Sequence, residues 1–187
     1  MTTNNNKNKS TLVLMIAVFV LPVVLAYLAL QNDWFNKAAT NRGELLQPVI
    51  EANTLLSNSN AKWHLLYVLP ADCDVACENA IYSVGQIYLA TGKESDRVEK
   101  LFIQTENSSA AAIAKVEEAY GAFLLQKSNI DVNEVFKNAD LNAIFISDTL
   151  HNIVLRYPTT SDIDEATMDS RNILADLKKL LKLSRIG

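Results

Sequence analysis

The sequence has few of the residues from which disulfide scaffolds and most metal sites are built. Its 187 residues include only two cysteines and two histidines. Two cysteines are too few for a disulfide scaffold and, by themselves, too few for a zinc site. The chain also has no G-x-x-x-x-G-K-[ST] loop, no G-x-S-x-G elbow and no H-E-x-x-H motif. These absences argue against the P-loop, serine-hydrolase and zinc-peptidase classes.

Clusters of basic residues are absent as well. The formal net charge is −4, and Lys7 and Lys9 precede the long apolar run. Removing these two lysines from the 17 basic residues leaves 15 against 21 acidic residues, a formal charge of −6. An acidic domain without a Lys/Arg cluster is not expected to bind nucleic acid.

Charge is missing altogether from Thr11–Leu30, a run of about 20 residues that is long enough to cross a membrane. A cleaved signal peptide is the alternative. The run is longer than a typical signal-peptide core, and no small-x-small cleavage site follows it. We therefore predict a transmembrane anchor at 11–30 behind a short tail at 1–10. The aromatic residues expected at the far membrane interface are Tyr27, Trp34 and Phe35.

The flanks of the anchor predict its orientation. Residues 1–10 carry Lys7 and Lys9 and no acidic residue. The positive-inside rule then keeps the N-terminus in the cytoplasm. The domain after the anchor would lie in the periplasm or an equivalent oxidising space, where Cys73 and Cys77 can form and keep a disulfide.

Residues 31–60 are predicted to connect the anchor to a domain at 61–187. The elements predicted in that domain are a strand at 62–69, a helix from Asp72 or Asp74 to about Ala90, a strand at 97–104, a long helix from Ser108 or Ser109 that includes Phe123 and Leu124, strands at 142–147 and 152–157, and a helix from about Asp162. Right-handed crossovers make the first two strands parallel, and the last two form an antiparallel hairpin. This order predicts a thioredoxin-like α/β fold, with a central mixed sheet flanked by helices.

The two cysteines follow the first predicted strand, in the segment Pro70–Cys77. Functional groups in open α/β sheets collect at the carboxyl ends of strands. On a helix, Cys73 and Cys77 would lie about 6 Å apart on one face. That spacing suits a redox-active disulfide, an inert structural disulfide, or two thiolates that chelate Cu(I).

The remaining candidate ligands are two histidines. His64 lies in the first strand, nine residues before Cys73, and is predicted to be out of reach of the cysteines. We predict that it is a structural residue, either buried or at the surface, and not a ligand. His151 lies in the hairpin turn, where histidine tolerates a positive φ better than most residues. Four aromatic residues are predicted to pack in the core, namely Trp63, Tyr67, Tyr82 and Tyr88.

Five segments resemble, in order, a known family. They are Asn41–Pro48, Trp63–Val68 with Cys73-Asp-Val-Ala-Cys77, Gln86 with Gly92-Lys93, Asp148–Pro158, and Asp176–Gly187. The chain resembles the small thioredoxin-like membrane proteins associated with bacterial cytochrome c oxidase operons, relatives of the Sco/SenC copper-assembly proteins. The resemblance implies that Cys73 and Cys77 take the place of the copper-binding and redox-active cysteines.

The sequence departs from that family at two places. Sco proteins have a histidine before the strand that enters the hairpin, and the corresponding segment Asn138–Asn142 has none. Gly85 stands where an arginine is usual. Without that histidine, the resemblance does not extend to a complete Sco-type Cys₂His site.

The resemblance and the anchor together predict an assembly factor for a respiratory cytochrome c oxidase in the bacterial inner membrane. Cys73 and Cys77 would act in thiol redox chemistry or hold Cu(I) transiently. The expected partners are oxidase subunits or their assembly factors. Two alternatives are a general periplasmic thiol–disulfide oxidoreductase and a non-catalytic module that binds the oxidase.

Overall fold

The chain divides into two compact units, Met1–Thr40 and Asn41–Gly187. A computed structural model describes residues 5–31, 41–121, 125–127, 130–137 and 139–184. The first unit contains helix α1 (Asn5–Gln31), in which Thr11–Ala29 is long and apolar enough to cross a membrane. This agrees with the anchor predicted at 11–30. Tyr27 is exposed on α1, whereas Trp34 and Phe35 lie outside the described residues.

The second unit is built on one six-stranded mixed sheet. Its strands are β1 (Glu44–Glu51), β2 (Trp63–Val68), β3 (Val98–Gln104), β4 (Leu125–Lys127), β5 (Ala143–Ser147) and β6 (Asn152–Pro158). Their spatial order is β1-β6-β5-β2-β3-β4. Strands β2, β3 and β4 are parallel, and the other neighbours are antiparallel. The predicted parallel pair and closing hairpin are confirmed.

Helices cover both faces of this sheet. They are α2 (Val75–Thr91), α3 (Ala110–Tyr120), α4 (Val132–Val135) and α5 (Ile163–Leu183). Leu65 and Tyr67 of β2 pack in the core formed with α2, α3 and α5, whereas Leu66 and Val68 pack in the core on the other face, which includes residues of α4. Burial on both faces explains why β2 is apolar except for His64, rather than alternating.

The structure differs from the predicted domain boundary at residue 61. Strand β1 lies within the predicted connecting segment 31–60 and pairs with β6, so that Ile50 is opposite Ile153. The turn after β1 is also buried, at Ala52, Leu55 and Leu56. Because these apolar side chains are buried in the sheet's second core, the domain begins at Asn41.

Two elements are shorter or additional. Helix α3 ends at Tyr120, before Gly121 with φ 85°, and Phe123 and Leu124 of the predicted long helix lie outside the described residues. The short elements β4 and α4 were not predicted, because three and four residues are too few to show a hydrophobic period.

The predicted hairpin turn is confirmed in detail. The Asp148 carboxylate accepts the backbone N–H groups of Leu150 at 2.9 Å and Asn152 at 2.8 Å. His151 has φ 63°, the left-handed region that the turn requires. A short acidic side chain that hydrogen-bonds the following backbone is a common way to stabilise such a turn.

Candidate functional site

The cysteine pair lies beyond the carboxyl ends of strands β2, β3 and β6, where three helices begin. Strand β6 is antiparallel to β5, and β5 is antiparallel to β2, so β2, β3 and β6 all end in this region. Helices α2, α3 and α5 follow these strands and therefore start there. We call this region the cysteine edge. It is the part of an open α/β sheet where reactive groups collect.

Cys73 and Cys77 form a disulfide whose Cα atoms are 5.1 Å apart. Asp74 lies between them with extended backbone (φ −82°, ψ −173°) and caps α2, and its carboxylate accepts the N–H of Cys77 at 3.0 Å. Cys73 therefore precedes the helix, and Cys77 is its third residue. The helical i, i+4 spacing assumed from the sequence is wrong, because a helix begins only after its extended capping residue.

The two cysteines differ in exposure. Cys77 is 2% exposed and packs in the core, whereas Cys73 is half-buried at the edge of the same core. Of the two cysteines, Cys73 is therefore the one more open to attack by an external thiolate. Attack there leaves Cys77 as a thiolate in the first turn of α2, where the helix N-terminus stabilises negative charge.

Carboxylates surround the pair and oppose this stabilisation. Asp72, Asp74 and Glu78 are all exposed around the two cysteines. Lys115 of α3 partly offsets Glu78, with its Nζ atom 3.1 Å from Glu78 Oε1. Nearby negative charge disfavours a second anion, so these acids raise the free energy of a thiolate while the helix N-terminus lowers it.

Three of the four aromatic residues predicted in the core contact it. Trp63 and Tyr67 are buried, and Tyr88 is half-buried, with Lys100 Nζ 4.5 Å from its ring centroid. Burial, and then the charge of Asp74, raise the pKa of Tyr67, so its phenol stays protonated at neutral pH. The prediction is wrong for Tyr82, which is 60% exposed because it faces away from the sheet along α2.

The two histidines lie at the other end of the sheet. His64 is buried near the start of β2, with Nδ1 3.1 Å from Ser147 Oγ and Nε2 3.6 Å from Glu99 Oε2. Its ring centroid is 5.8 Å from that of His151. Because each residue of a strand adds about 3.3 Å, the length of β2 separates both histidines from Cys73. The structure agrees with the predictions that His64 lies out of reach of the cysteines and that His151 is a turn residue.

The donors that could hold copper at the cysteine edge are thus the two cysteine sulfurs. Across the described residues, no group of three or more His, Cys, Asp or Glu side chains could hold a metal ion. Two thiolates suit the soft ion Cu(I). The pair is a disulfide in this structure, so metal binding would first require its reduction. The residues fit a two-sulfur site and do not fit a Cys₂His site.

Gly85 allows Tyr120 to pack against α2. The hydroxyl of Tyr120 donates to the Ile81 carbonyl at 3.0 Å, and its ring stacks on Phe102 with centroids 5.6 Å apart. A Cβ atom on Gly85 would overlap the Tyr120 phenol. The arginine of the resembled family would therefore displace Tyr120, which explains this departure in physical terms.

Several solved structures are similar to this chain at low identity. A Chlorobium tepidum protein, provisionally assigned as the thiol:disulfide interchange protein DsbE, is 12% identical with a TM-score of 0.48, and the match covers 64% of this chain and 83% of that one. A provisionally assigned electron transfer protein of Aquifex aeolicus VF5 is 14% identical with a TM-score of 0.43, over 63% and 84%. Copper-bound ScoI of Bradyrhizobium japonicum is 15% identical with a TM-score of 0.40, over 62% and 87%.

No curated protein sequence matches the chain significantly. Residues 63–184, well over half of the chain, match the family described as transmembrane-like, thioredoxin-like, C-terminal domain. The match begins at β2 and ends after α5, so it includes the cysteine edge. The predicted thioredoxin-like fold is confirmed, and the chain belongs to this transmembrane-like, thioredoxin-like family.

Proposed function

We propose that this protein is a membrane-anchored thiol–disulfide exchange protein that acts on cysteines of a respiratory cytochrome c oxidase or its assembly factors. The observation that carries the exchange chemistry is the half-buried Cys73 joined to the buried Cys77 across a helix cap. An inert structural disulfide would not need one partly exposed cysteine at the ends of the strands, where reactive groups collect.

Exchange at this pair is balanced in atoms and electrons. A target thiolate attacks Cys73 Sγ, forms a mixed disulfide and releases Cys77 as a thiolate. A second target thiolate then attacks the mixed disulfide and releases Cys73. The target gains a disulfide, and two electrons pass to the pair. The reverse sequence, starting from the Cys73 thiolate, reduces a target disulfide.

The oxidase as target and the periplasm as compartment are supported by the sequence. Lys7 and Lys9, which precede the apolar stretch Thr11–Ala29 of α1, favour a cytoplasmic N-terminus and a periplasmic domain in the bacterial inner membrane. The five segments that resemble oxidase-associated thioredoxin-like proteins favour the oxidase as partner. An anchored domain would meet the oxidase at the surface of the same membrane.

Trapping of mixed disulfides tests the exchange function. In full-length protein in detergent micelles, the variant Cys77→Ser should trap a stable mixed disulfide with a target that carries a disulfide. The Cys73 thiolate attacks that disulfide, one target sulfur leaves as a thiolate, and no resolving thiol remains in the variant. Cys73→Ser should trap at least about tenfold less, because Cys77 is buried. Mass spectrometry of the adducts measures both yields, and oxidase subunits should appear among those trapped in cells.

The double variant Cys73→Ser/Cys77→Ser is the control for trapping. Equal trapping by the two single variants would contradict the assigned roles. A wild-type reduction potential below about −300 mV would instead indicate a structural disulfide. Full oxidase assembly in cells that carry the double variant would favour a non-catalytic module.

Transient Cu(I) binding is a second function that one observation favours. The Cα separation of 5.1 Å allows both thiolates of the reduced pair to contact one ion. Anaerobic titration of reduced, full-length protein should show one Cu(I) per chain, and Cys73→Ser/Cys77→Ser should lose it. Oxidised wild-type protein is the control, and binding unchanged in the double variant would rule out the pair as the site.

A further inference from the structure

A groove of about 350 Å³ lies between α2 and α5. Its lining includes Tyr82 and Gln86 of α2 and Ile163 and Thr167 of α5. We call it the α2–α5 groove. Both helices begin at the cysteine edge and run the same way, because β2 and β6, which precede them, are parallel to each other.

Exposed apolar residues connect the disulfide to this groove. Val75, Tyr82 and Ile163 are 56%, 60% and 58% exposed. Val75, Asn79 and Tyr82 are spaced i, i+4, i+7 and thus share one face of α2. Asn79, two residues after Cys77, donates its Nδ2 hydrogen to the Thr160 carbonyl at 3.1 Å. This bond holds the chain before α5 close to the first turns of α2.

Exposed carboxylates are concentrated where the two helices begin, and we call this region the acidic rim. It consists of Asp72, Asp74, Glu78, Asp162, Asp164 and Glu165. The first two turns of α2 and of α5 contain no lysine or arginine. Arg171 lines the groove beyond these turns, farther from the cysteine edge. Lys115 of α3 faces Glu78 in an ion pair. The positive ends of the two helix dipoles, about half a charge each, offset only part of this negative charge.

We infer that the α2–α5 groove docks the target segment that exchanges with Cys73, and that this segment carries large apolar residues beside its cysteine and basic residues around them. Apolar side chains would fill the groove beside Tyr82 and Ile163. Basic side chains would face the acidic rim. The inference rests on the proposed exchange function and names the chemistry of its substrate.

Three short peptides, each with one cysteine, separate the contribution of apolar contacts in the groove from that of charge attraction to the acidic rim. They are Lys-Leu-Cys-Phe-Lys, Glu-Leu-Cys-Phe-Glu and Lys-Ser-Cys-Ser-Lys. Each reduces the disulfide of full-length protein in neutral detergent micelles, and each rate is divided by the rate of the same peptide with the uncharged bis(2-hydroxyethyl) disulfide. This division removes the effect of neighbouring charge on the reactivity of the peptide thiol.

The basic apolar peptide should react about tenfold faster than the acidic one at low salt, and the difference should shrink in 0.5 M salt because exposed charges are screened. The normalised rate of the basic apolar peptide should also exceed that of the basic polar peptide by about fivefold. The double variant Tyr82→Ser/Ile163→Ser should remove the second preference. Leu89→Ser is the matched control, since Leu89 is 68% exposed on α2 and does not line the groove.

Equal normalised rates for the three peptides, or equal losses in Leu89→Ser, would overturn the docking inference and leave the exchange function standing. A disulfide that reacts with neither the peptides nor a small dithiol would overturn both. A change from dimer to monomer in Tyr82→Ser/Ile163→Ser, measured by sedimentation, would show that a second copy covers the groove and would also overturn the inference.

Discussion

Replacing Asp176 by alanine is expected to lower the free energy of unfolding of the domain by about 3 kcal/mol or more. Asp176 lies buried in α5. Its Oδ2 atom accepts the backbone N–H of Arg42 at 2.6 Å, the backbone N–H of Gly43 at 3.0 Å and the hydroxyl of Tyr157 at 2.7 Å. Alanine would leave these donors without their acceptor, and an unsatisfied buried donor costs more than the bond contributes.

Urea unfolding of residues 41–187 measures this effect by the fluorescence of Trp63, the single tryptophan in that range. Asp169→Ala on the same helix is the matched control and should change stability by less than about 0.5 kcal/mol. Tyr157→Phe removes the hydroxyl that donates to Asp176 but leaves the other two hydrogen bonds, so it should lower the free energy of unfolding by about 1 kcal/mol. Equal losses in Asp176→Ala and Asp169→Ala would contradict the role given to Asp176.

The Asp176 contacts explain a segment that the sequence left without a structural role. A Cβ atom on Gly43 would overlap the ring of Tyr157, so only glycine allows the chain to pass close enough to reach Asp176. The hydrogen bonds to Arg42 and Gly43 hold the start of β1 against α5. The resemblance at Asn41–Pro48 thus reflects how the first strand is attached to the domain.

Elements with a clear period of apolar residues and with capping residues at their ends could be predicted from the sequence. Helix α2 follows Pro70, is capped by Asp74 and ends at Gly92 with φ 61°. Strand β1 gave no such signal, since most of its side chains are exposed and it contains Pro48. Its position depends on pairing with β6, about a hundred residues later. Such a distant contact leaves no local pattern.

The site was predictable in part for the same reason. The cysteine spacing after a buried strand placed Cys73 and Cys77 at the correct edge of the sheet. The α2–α5 groove was not predicted, because Tyr82 on an apolar helix cannot be assigned to the core or the surface without its neighbours. The burial of Asp176 was equally hidden, because a carboxylate in an amphipathic helix is normally solvated.

Acidification from pH 7 to pH 4.5 is expected to destabilise the domain by about 2 kcal/mol through His64 alone. Burial, as the largest cause, lowers the pKa of His64 from 6.5 to about 4. The charged groups that face it are Glu99 and Asp148, which favour its protonation, and His151, which opposes it. His64 binds a proton near pH 6.5 in the unfolded chain but only near pH 4 in the folded domain. The free energy of unfolding therefore falls as the pH drops from about 6.5 to about 4.

Other carboxylates also titrate on acidification, so the measurement compares variants. His64→Asn keeps a side-chain amide within reach of Ser147 and removes the titrating ring, and its unfolding free energy should fall by about 2 kcal/mol less than that of wild type between pH 7 and 4.5. His151→Asn is the comparison variant, because asparagine tolerates the positive φ of that turn. It removes only a minor cause of the His64 shift, so it should flatten the pH profile much less than His64→Asn does. Parallel pH profiles for wild type and His64→Asn would show that the buried imidazole does not couple folding to pH. A profile flattened mainly in His64→Asn would place an acid-sensitive contact between β2 and β5, at the end of the sheet away from the cysteines.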